Sequence, residues 1–188
     1  MSFLRRILLL AIIALVLVWV TLAIVVYGDL PATLATHFGP DGRADQFSEK
    51  SIGSWFVLTI IGVCTTAFML VTAQRADSRP EMFNIPGKAA LLSLPRDLQA
   101  PFLEELATWM TGLSLVVIVQ FAAIQYDMWR VATSSQRGLS LVSWSAMGIG
   151  FGGFMLGTIV WMVYFRRAVV AAAAVAVARA PSTGRRTS

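Results

Sequence analysis

Four long stretches of the chain alternate with polar segments, and their apolar character is unbroken. Residues 7–26, 52–73, 106–124 and 141–165 contain no Asp, Glu, Lys, Arg or His. A hydrocarbon core about 30 Å thick takes roughly 20 helical residues to cross. A water-exposed helix of that length carries a charged face, and none of these stretches has one. The pattern predicts an all-α, polytopic membrane protein with four transmembrane helices in a compact bundle, occupying residues 1–167. Arg5 and Arg6 precede the first stretch as they would in a secretory signal. However, signal cores run about 7–15 residues and end in a small-x-small site. This stretch is longer and ends in Val25-Val26-Tyr27, so it reads as a retained anchor.

The polar segments have distinct characters. In the first, residues 27–51, Pro31, Gly39, Pro40 and Gly42 exclude a continuous helix, and Gly39-Pro40-Asp41-Gly42 is a strong turn signal. The segment at 74–105 holds Pro80, Pro86, Pro95 and Pro101 around Ile85, Ala89, Ala90, Leu91, Leu92 and Leu94. Too short to cross, those apolar residues are expected to rest on the membrane interface. Beyond Arg167 an Ala/Val run predicts that the fourth helix continues, and residues 168–188 are expected to be this extension followed by a disordered basic tail from Pro181. Tyr27, Trp55, Trp109, Trp144 and Trp161 lie near the ends of spans, where an aromatic belt is expected. Trp19 falls deeper and is expected to pack against another helix.

Charge sets the expected orientation. The chain has 15 Lys and Arg against 10 Asp and Glu, and the basic residues gather at the ends of the spans. With the N-terminus inside, the cytoplasmic set is Arg5, Arg6, Arg75, Arg79, Lys88, Arg96, Arg166, Arg167, Arg179, Arg185 and Arg186. Only Arg43, Lys50, Arg130 and Arg137 fall outside. The positive-inside bias therefore predicts cytoplasmic termini, an outer loop at 27–51 and a cytoplasmic loop at 74–105, with only the 126–140 connection running against it. The lipid bilayer, not nucleic acid, accounts for the basic excess. Cys64 is the only cysteine, which excludes an intrachain disulfide or a cysteine cluster.

Candidate chemistry is sparse. The spans hold no Asp, Glu, Lys, Arg or His, which argues against a proton-coupled exporter built on a buried carboxylate. Gln120 is their most polar residue, and its expected role is a hydrogen bond to a neighbouring helix. In the fourth span Gly148/Gly152 and Gly153/Gly157 stand at GxxxG spacing, which allows close approach of a backbone. The approaching backbone is either a helix of the same chain or a second copy in a homodimer. No HExxH, GxSxG or phosphate-cradling Gly-Lys-Ser/Thr occurs, so no enzyme activity and no cofactor are expected. A lone histidine, His37, with Asp41, Asp45 or Glu49 makes a poor metal site, and none is expected.

The stretch containing Leu30, Pro31, His37, Phe38, Gly42, Asp45 and Lys50 resembles the bacterial membrane family catalogued as domain of unknown function 1648. Its pattern is a first span, Leu-Pro, His-Phe, a Gly-rich turn with Asp, and a Lys leading into the second span. Phe47 stands where that family often has Trp. Asn84, Pro86 and Lys88, followed by Pro95 and Arg96, are similar to its cytoplasmic signature, and the resemblance covers residues 1–125. It implies a multi-pass protein of the bacterial inner membrane, related to the SdpI-like immunity proteins. These protect a cell from a secreted toxin and signal its presence to a repressor. The expected function is then non-enzymatic sensing or binding of an extracellular ligand or peptide toxin, with a cytoplasmic regulator as partner. A small transporter, or an accessory subunit of a transport complex, is the alternative.

The residues of the outer loop leave several roles open. In one, the turn brings His37 and Phe38 near Asp45, Phe47 and Lys50, the two phenylalanines wedge into the bundle mouth, and His37 bonds a carboxylate. The others are a recognition surface, a metal site, and a pH sensor through His37.

Overall fold

The computed structural model describes residues 1–76 and 78–179. Helix α1 spans Phe3–Tyr27, α2 Ile52–Arg75 and α4 Arg96–Thr133. The fourth long helix runs from Leu141 to Arg179 in three parts: α5 (Leu141–Ser145), a π-helical segment (Ala146–Gly152) and α6 (Gly153–Arg179). All four are long and apolar enough to cross a membrane, so the chain is an all-α polytopic protein. Helices α1 and α2 start on polar capping chemistry. Ser2 accepts from the Arg5 N–H to start α1, and Ser51 and Ser54 cap one another reciprocally at the start of α2. Between α1 and α2 lies a two-stranded hairpin, β1 (Thr33–Phe38) and β2 (Ala44–Glu49).

Helix α4 is the axis, touching α1, α2, the π-segment and α6. A Cβ on Gly62 would stand 2.8 Å from the Trp19 ring and 3.0 Å from Phe121, so glycine is what lets α1 and α4 close on α2. A buried relay crosses the same three helices. Thr59 donates to Gln125 Oε1 (2.6 Å), Gln125 Nε2 donates to the Trp55 carbonyl (3.2 Å), and Trp55 Nε1 donates to the Ala23 carbonyl (2.8 Å). Trp55 is therefore not a belt residue. It is buried, with its indole N–H spent on α1. Trp109 and Trp161 likewise work between helices: their rings stack at 5.3 Å, Trp109 donates to Thr158 (3.1 Å) and Trp161 to Glu105 (2.6 Å).

At the end of the bundle away from the hairpin, the proline-rich segment makes a short 3-10 turn at Pro80–Met82 and helix α3 (Lys88–Ser93). Of its leucines, Leu92 is exposed but Leu91 and Leu94 do not lie free along an interface. Leu91 and Leu94 pack with Leu103, Phe165 and Val169, flanked by Ala172, Ala173 and Ala176. The Ala-rich run past Arg167 thus forms a helix whose small side chains receive α3. The expected tail from Pro181 lies outside the described residues. Asn84 and Arg96 are exposed, Lys88 Nζ donates to the Glu81 carbonyl, and Pro95 caps α4. Asn84, Pro86, Lys88, Pro95 and Arg96 thus form an elbow rather than one cluster. At the same end Glu104 holds the start of α1, accepting from Ser2 N–H (2.5 Å) and Arg5 Nη1 (3.1 Å).

Most of the glycine face meets no helix of the same chain. A Cβ on Gly148, Gly150 or Gly153 would meet nothing within 4 Å, and one on Gly152 would meet only the Met147 carbonyl. Gly157 alone among the GxxxG residues faces another helix, at 3.5 Å from Trp109. Gly148 and Gly152 lie in the π-segment, whose i→i+5 turn takes them off the α-helical row on which the spacing argument rests.

Candidate functional site: the hairpin and the cavity beneath it

Residues 28–51 become a hairpin because both ends are tied and the turn is pre-shaped. Lys50 Nζ donates to the carbonyls of Gly28 (3.1 Å) and Leu30 (2.9 Å) and lies 5.0 Å from the centre of the Tyr27 ring. One ammonium thereby closes the base of the loop. At the tip Gly42 adopts φ +75°, a conformation natural to glycine. Gly39 N–H donates to the Arg43 carbonyl (2.8 Å) and Asp41 Oδ1 accepts from Arg43 N–H (3.0 Å).

The strands pair antiparallel, Thr33 with Glu49, Leu34 with Ser48 and Ala35 with Phe47, and the register then shifts on either side of His37. Strand alternation turns Leu34 inward, where it is fully buried with Leu30, Ala23, Trp55 and Met128. The irregular register brings His37 Nδ1 to 2.6 Å from Asp45 Oδ1, both side chains about half exposed. Phe38 packs against the core cluster, as expected. Phe47 does not: it is 57% exposed. Lys50 is committed to the loop base and does not join His37.

The hairpin tip is docked by the connection between α4 and α5. Leu139 N–H donates to the Gly42 carbonyl (2.8 Å) and Ala44 N–H to the Arg137 carbonyl (2.9 Å). Trp144 lies so close to Gly42 that a Cβ there would fall 2.7 Å from its ring. Behind this contact stands Asp127, fully buried. Its Oδ1 accepts from Arg130 Nε (3.0 Å), and its Oδ2 from the Ser140 N–H (2.9 Å) and hydroxyl (3.1 Å). Arg130 Nη2 also donates to the Gly138 carbonyl (2.5 Å). Asp127 and Ser140 were not among the residues singled out from sequence, and Arg130 was noted only for its charge. The available signal was the basic excess of 126–140, which runs against the charge bias and is explained here by Arg130 pairing with Asp127.

Between hairpin and bundle lies a cavity of about 430 Å³. Thr36, His37, Phe38, Gly39 and Pro40 line it from the hairpin; Leu58, Ile124, Met128, Leu139, Trp144 and Met147 line it from the bundle. Its walls are apolar and rich in methionine and aromatic surface, which adapts to varied apolar shapes. Its polar lining side chains include His37 and Thr36. Pockets of this size suit small molecules or a few peptide side chains. A second groove of about 370 Å³ lies between α1 and α4, lined by Trp19, Ala23, Trp55, Tyr126 and Trp129 among others. Gln125 also borders it, but its amide is already spent in the relay described above. Among the described residues no three His, Cys, Asp or Glu side chains come together as a metal set.

Of the residues expected to act together, the hairpin unites His37, Phe38, Gly42 and Asp45, while Leu30, Pro31 and Lys50 build its base. Gln120 has no hydrogen-bond partner among the described residues, contrary to the expected bond to a neighbouring helix. Residues 7–62 match the family model described as Domain of unknown function (DUF1648). The match covers most of α1, the hairpin and the first part of α2. The elbow at 84–96 falls outside the match. No curated protein and no solved structure matches the chain.

Proposed function

We propose that the protein is a non-enzymatic, multi-pass protein of a bacterial inner membrane, with cytoplasmic termini. Its outer hairpin and the cavity beneath it take an extracellular ligand, in the manner of the immunity and signalling proteins that the loop resembles. The observation that carries this reading is the cavity itself: about 430 Å³, walled by Phe38, Leu58, Met128, Trp144 and Met147, with His37 lining it. A loop serving only to connect two spans has no need to leave such a half-open space against the bundle. Apolar walls with few polar groups suit an apolar or amphipathic peptide. The continuous helix α4 reaches from Met128 at the cavity to Arg96 at the elbow. The elbow, packed on α6, would present Asn84 and Arg96 to a cytoplasmic regulator.

The test is a challenge of cells with and without the gene by a panel of secreted antimicrobial peptides. The mutant is complemented with wild type or with Leu139→Trp, which fills the cavity from its loop wall. The reading expects at least one peptide to which the deletion strain is hypersensitive and Leu139→Trp fails to protect. Equal susceptibility of both strains across the panel would overturn it.

A further inference from the structure

The groove between α1 and α4 has a buried floor of Trp19, Ala23, Trp55 and Gln125. Its rims include Val18 and Leu22 of α1 and Tyr126 and Trp129 of α4, all exposed. Both helices are long and apolar enough to cross a membrane, so the open side faces hydrocarbon. Along α1 the groove runs from Leu15 to Val26, about 16 Å of helix. Val26 adjoins Tyr27, the last residue of α1, so the groove starts at the hairpin end of the spans. One leaflet of a core about 30 Å thick is about 15 Å deep. The groove is therefore one leaflet long.

Its width is set by the same dimensions. Spread over that length, about 370 Å³ leaves a cross-section of about 23 Å². A helix about 10 Å across needs about 80 Å², so a transmembrane helix does not enter. A single polymethylene chain, about 4 Å thick at carbon contact distance, does. The floor offers such a chain no polar competition. The Gln125 amide is spent on Thr59 and the Trp55 carbonyl, and the Trp55 indole N–H on the Ala23 carbonyl. The Trp19 indole nitrogen is itself covered. Toward the hairpin end the rim carries Tyr126 and Trp129, with ring centres 5.9 Å apart. Their O–H and N–H suit the ester level of a phospholipid.

We propose that this groove is a binding site for one acyl chain of a phospholipid in the leaflet on the hairpin side. The chain covers the flank of Ala23 and Trp55, which with Leu30, Leu34 and Met128 form the core under the hairpin. An unfilled slot would forfeit those dispersion contacts. The site depends on the spans crossing lipid and not on what the hairpin recognises.

The experiment uses the full chain in dioleoyl phosphatidylcholine nanodiscs with a minor share of a phosphatidylcholine bearing a diazirine on its acyl chain. After illumination, lipid adducts are mapped by peptide mass spectrometry. Adducts on Val18, Leu22, Tyr126 and Trp129 should exceed severalfold those on Ile60 and Ile149, exposed residues toward the same side of the membrane. Ala122→Phe, which fills the groove from α4, should remove the excess, whereas Ile60→Phe should leave it. Leu22→Trp fills the groove from the opposite wall and repeats the test if Ala122→Phe lowers the melting temperature. Equal labelling of groove and exposed faces in the wild type would overturn the site, by showing lipid that merely surrounds the protein. An excess that survives both filling variants would overturn it as well. Protein–protein cross-links at Val18 and Leu22 in place of lipid adducts would assign the groove to a second copy instead.

Discussion

Asp127 holds Ser140 by two bonds to one carboxylate oxygen, 2.9 Å from the backbone N–H and 3.1 Å from the hydroxyl. The same Ser140 caps α5 by accepting from Ser143 N–H. A buried acid on α4 therefore sets where the fourth span begins, and Arg130 carries the constraint on to Gly138 and the hairpin tip.

Asp127→Ala should accordingly act at a distance. It strands a largely buried Arg130 and frees two donors, and breaking a buried charge pair costs about 3 kcal/mol or more. Thermal unfolding in nanodiscs should show the loss. Hydrogen exchange should rise at 42–44 and 137–139, with 33–35 little changed. Equal exchange at the tip in wild type and variant would contradict the docking role.

Lys50→Met should loosen the hairpin base. Hydrogen bonds from a charged group are worth about 1.5–3 kcal/mol, and here two converge on Gly28 and Leu30. Limited proteolysis should cut the loop severalfold faster, and Lys50→Arg should restore part of the protection. A Lys50→Met loop as resistant as wild type would refute this.

His37→Ala separates recognition from stability. The His37–Asp45 pair is about half exposed on both sides, and exposed pairs contribute about 1 kcal/mol or less. The melting temperature should barely move, while peptide protection should fall. A large drop in stability would assign His37 a structural role instead.

Glycine substitutions should sort by neighbour rather than by motif. Gly62→Ala should destabilise, by about 1–3 kcal/mol on the scale of overpacking, because Trp19 and Phe121 already occupy the space. Gly148→Ala meets nothing within the chain and should stabilise the helix by about 0.5–1 kcal/mol. A destabilising Gly148→Ala accompanied by loss of a cross-linked dimer would show that this face meets a second copy.

The helices were legible because lipid crossing imposes one requirement on every residue of 7–26 or 52–73, and the sequence meets it without exception. The hairpin turn was legible from Gly39-Pro40-Asp41-Gly42, and so was the approach of His37 to Asp45. What escaped depends on register and on tertiary partners. Phe47 is exposed although its cross-strand partner Ala35 is buried, which composition alone does not reveal. Trp55 looks like an interfacial residue until its N–H finds the Ala23 carbonyl. The GxxxG spacing presumes 3.6 residues per turn, and the π-segment breaks that premise at Gly148 and Gly152. Gln125 and Asp127, the two polar residues that organise the hairpin end of α4, fall just past the stretch 106–124 and are marked by no motif.

All of the proposed recognition requires the hairpin to face out of the cell. In a Cys64→Ala background, Gln46→Cys places a single thiol on β2 at an exposed position. A membrane-impermeant maleimide applied to intact cells should label it fully, with no further gain on permeabilisation. Labelling that appears only after permeabilisation would put the hairpin in the cytoplasm and contradict the account.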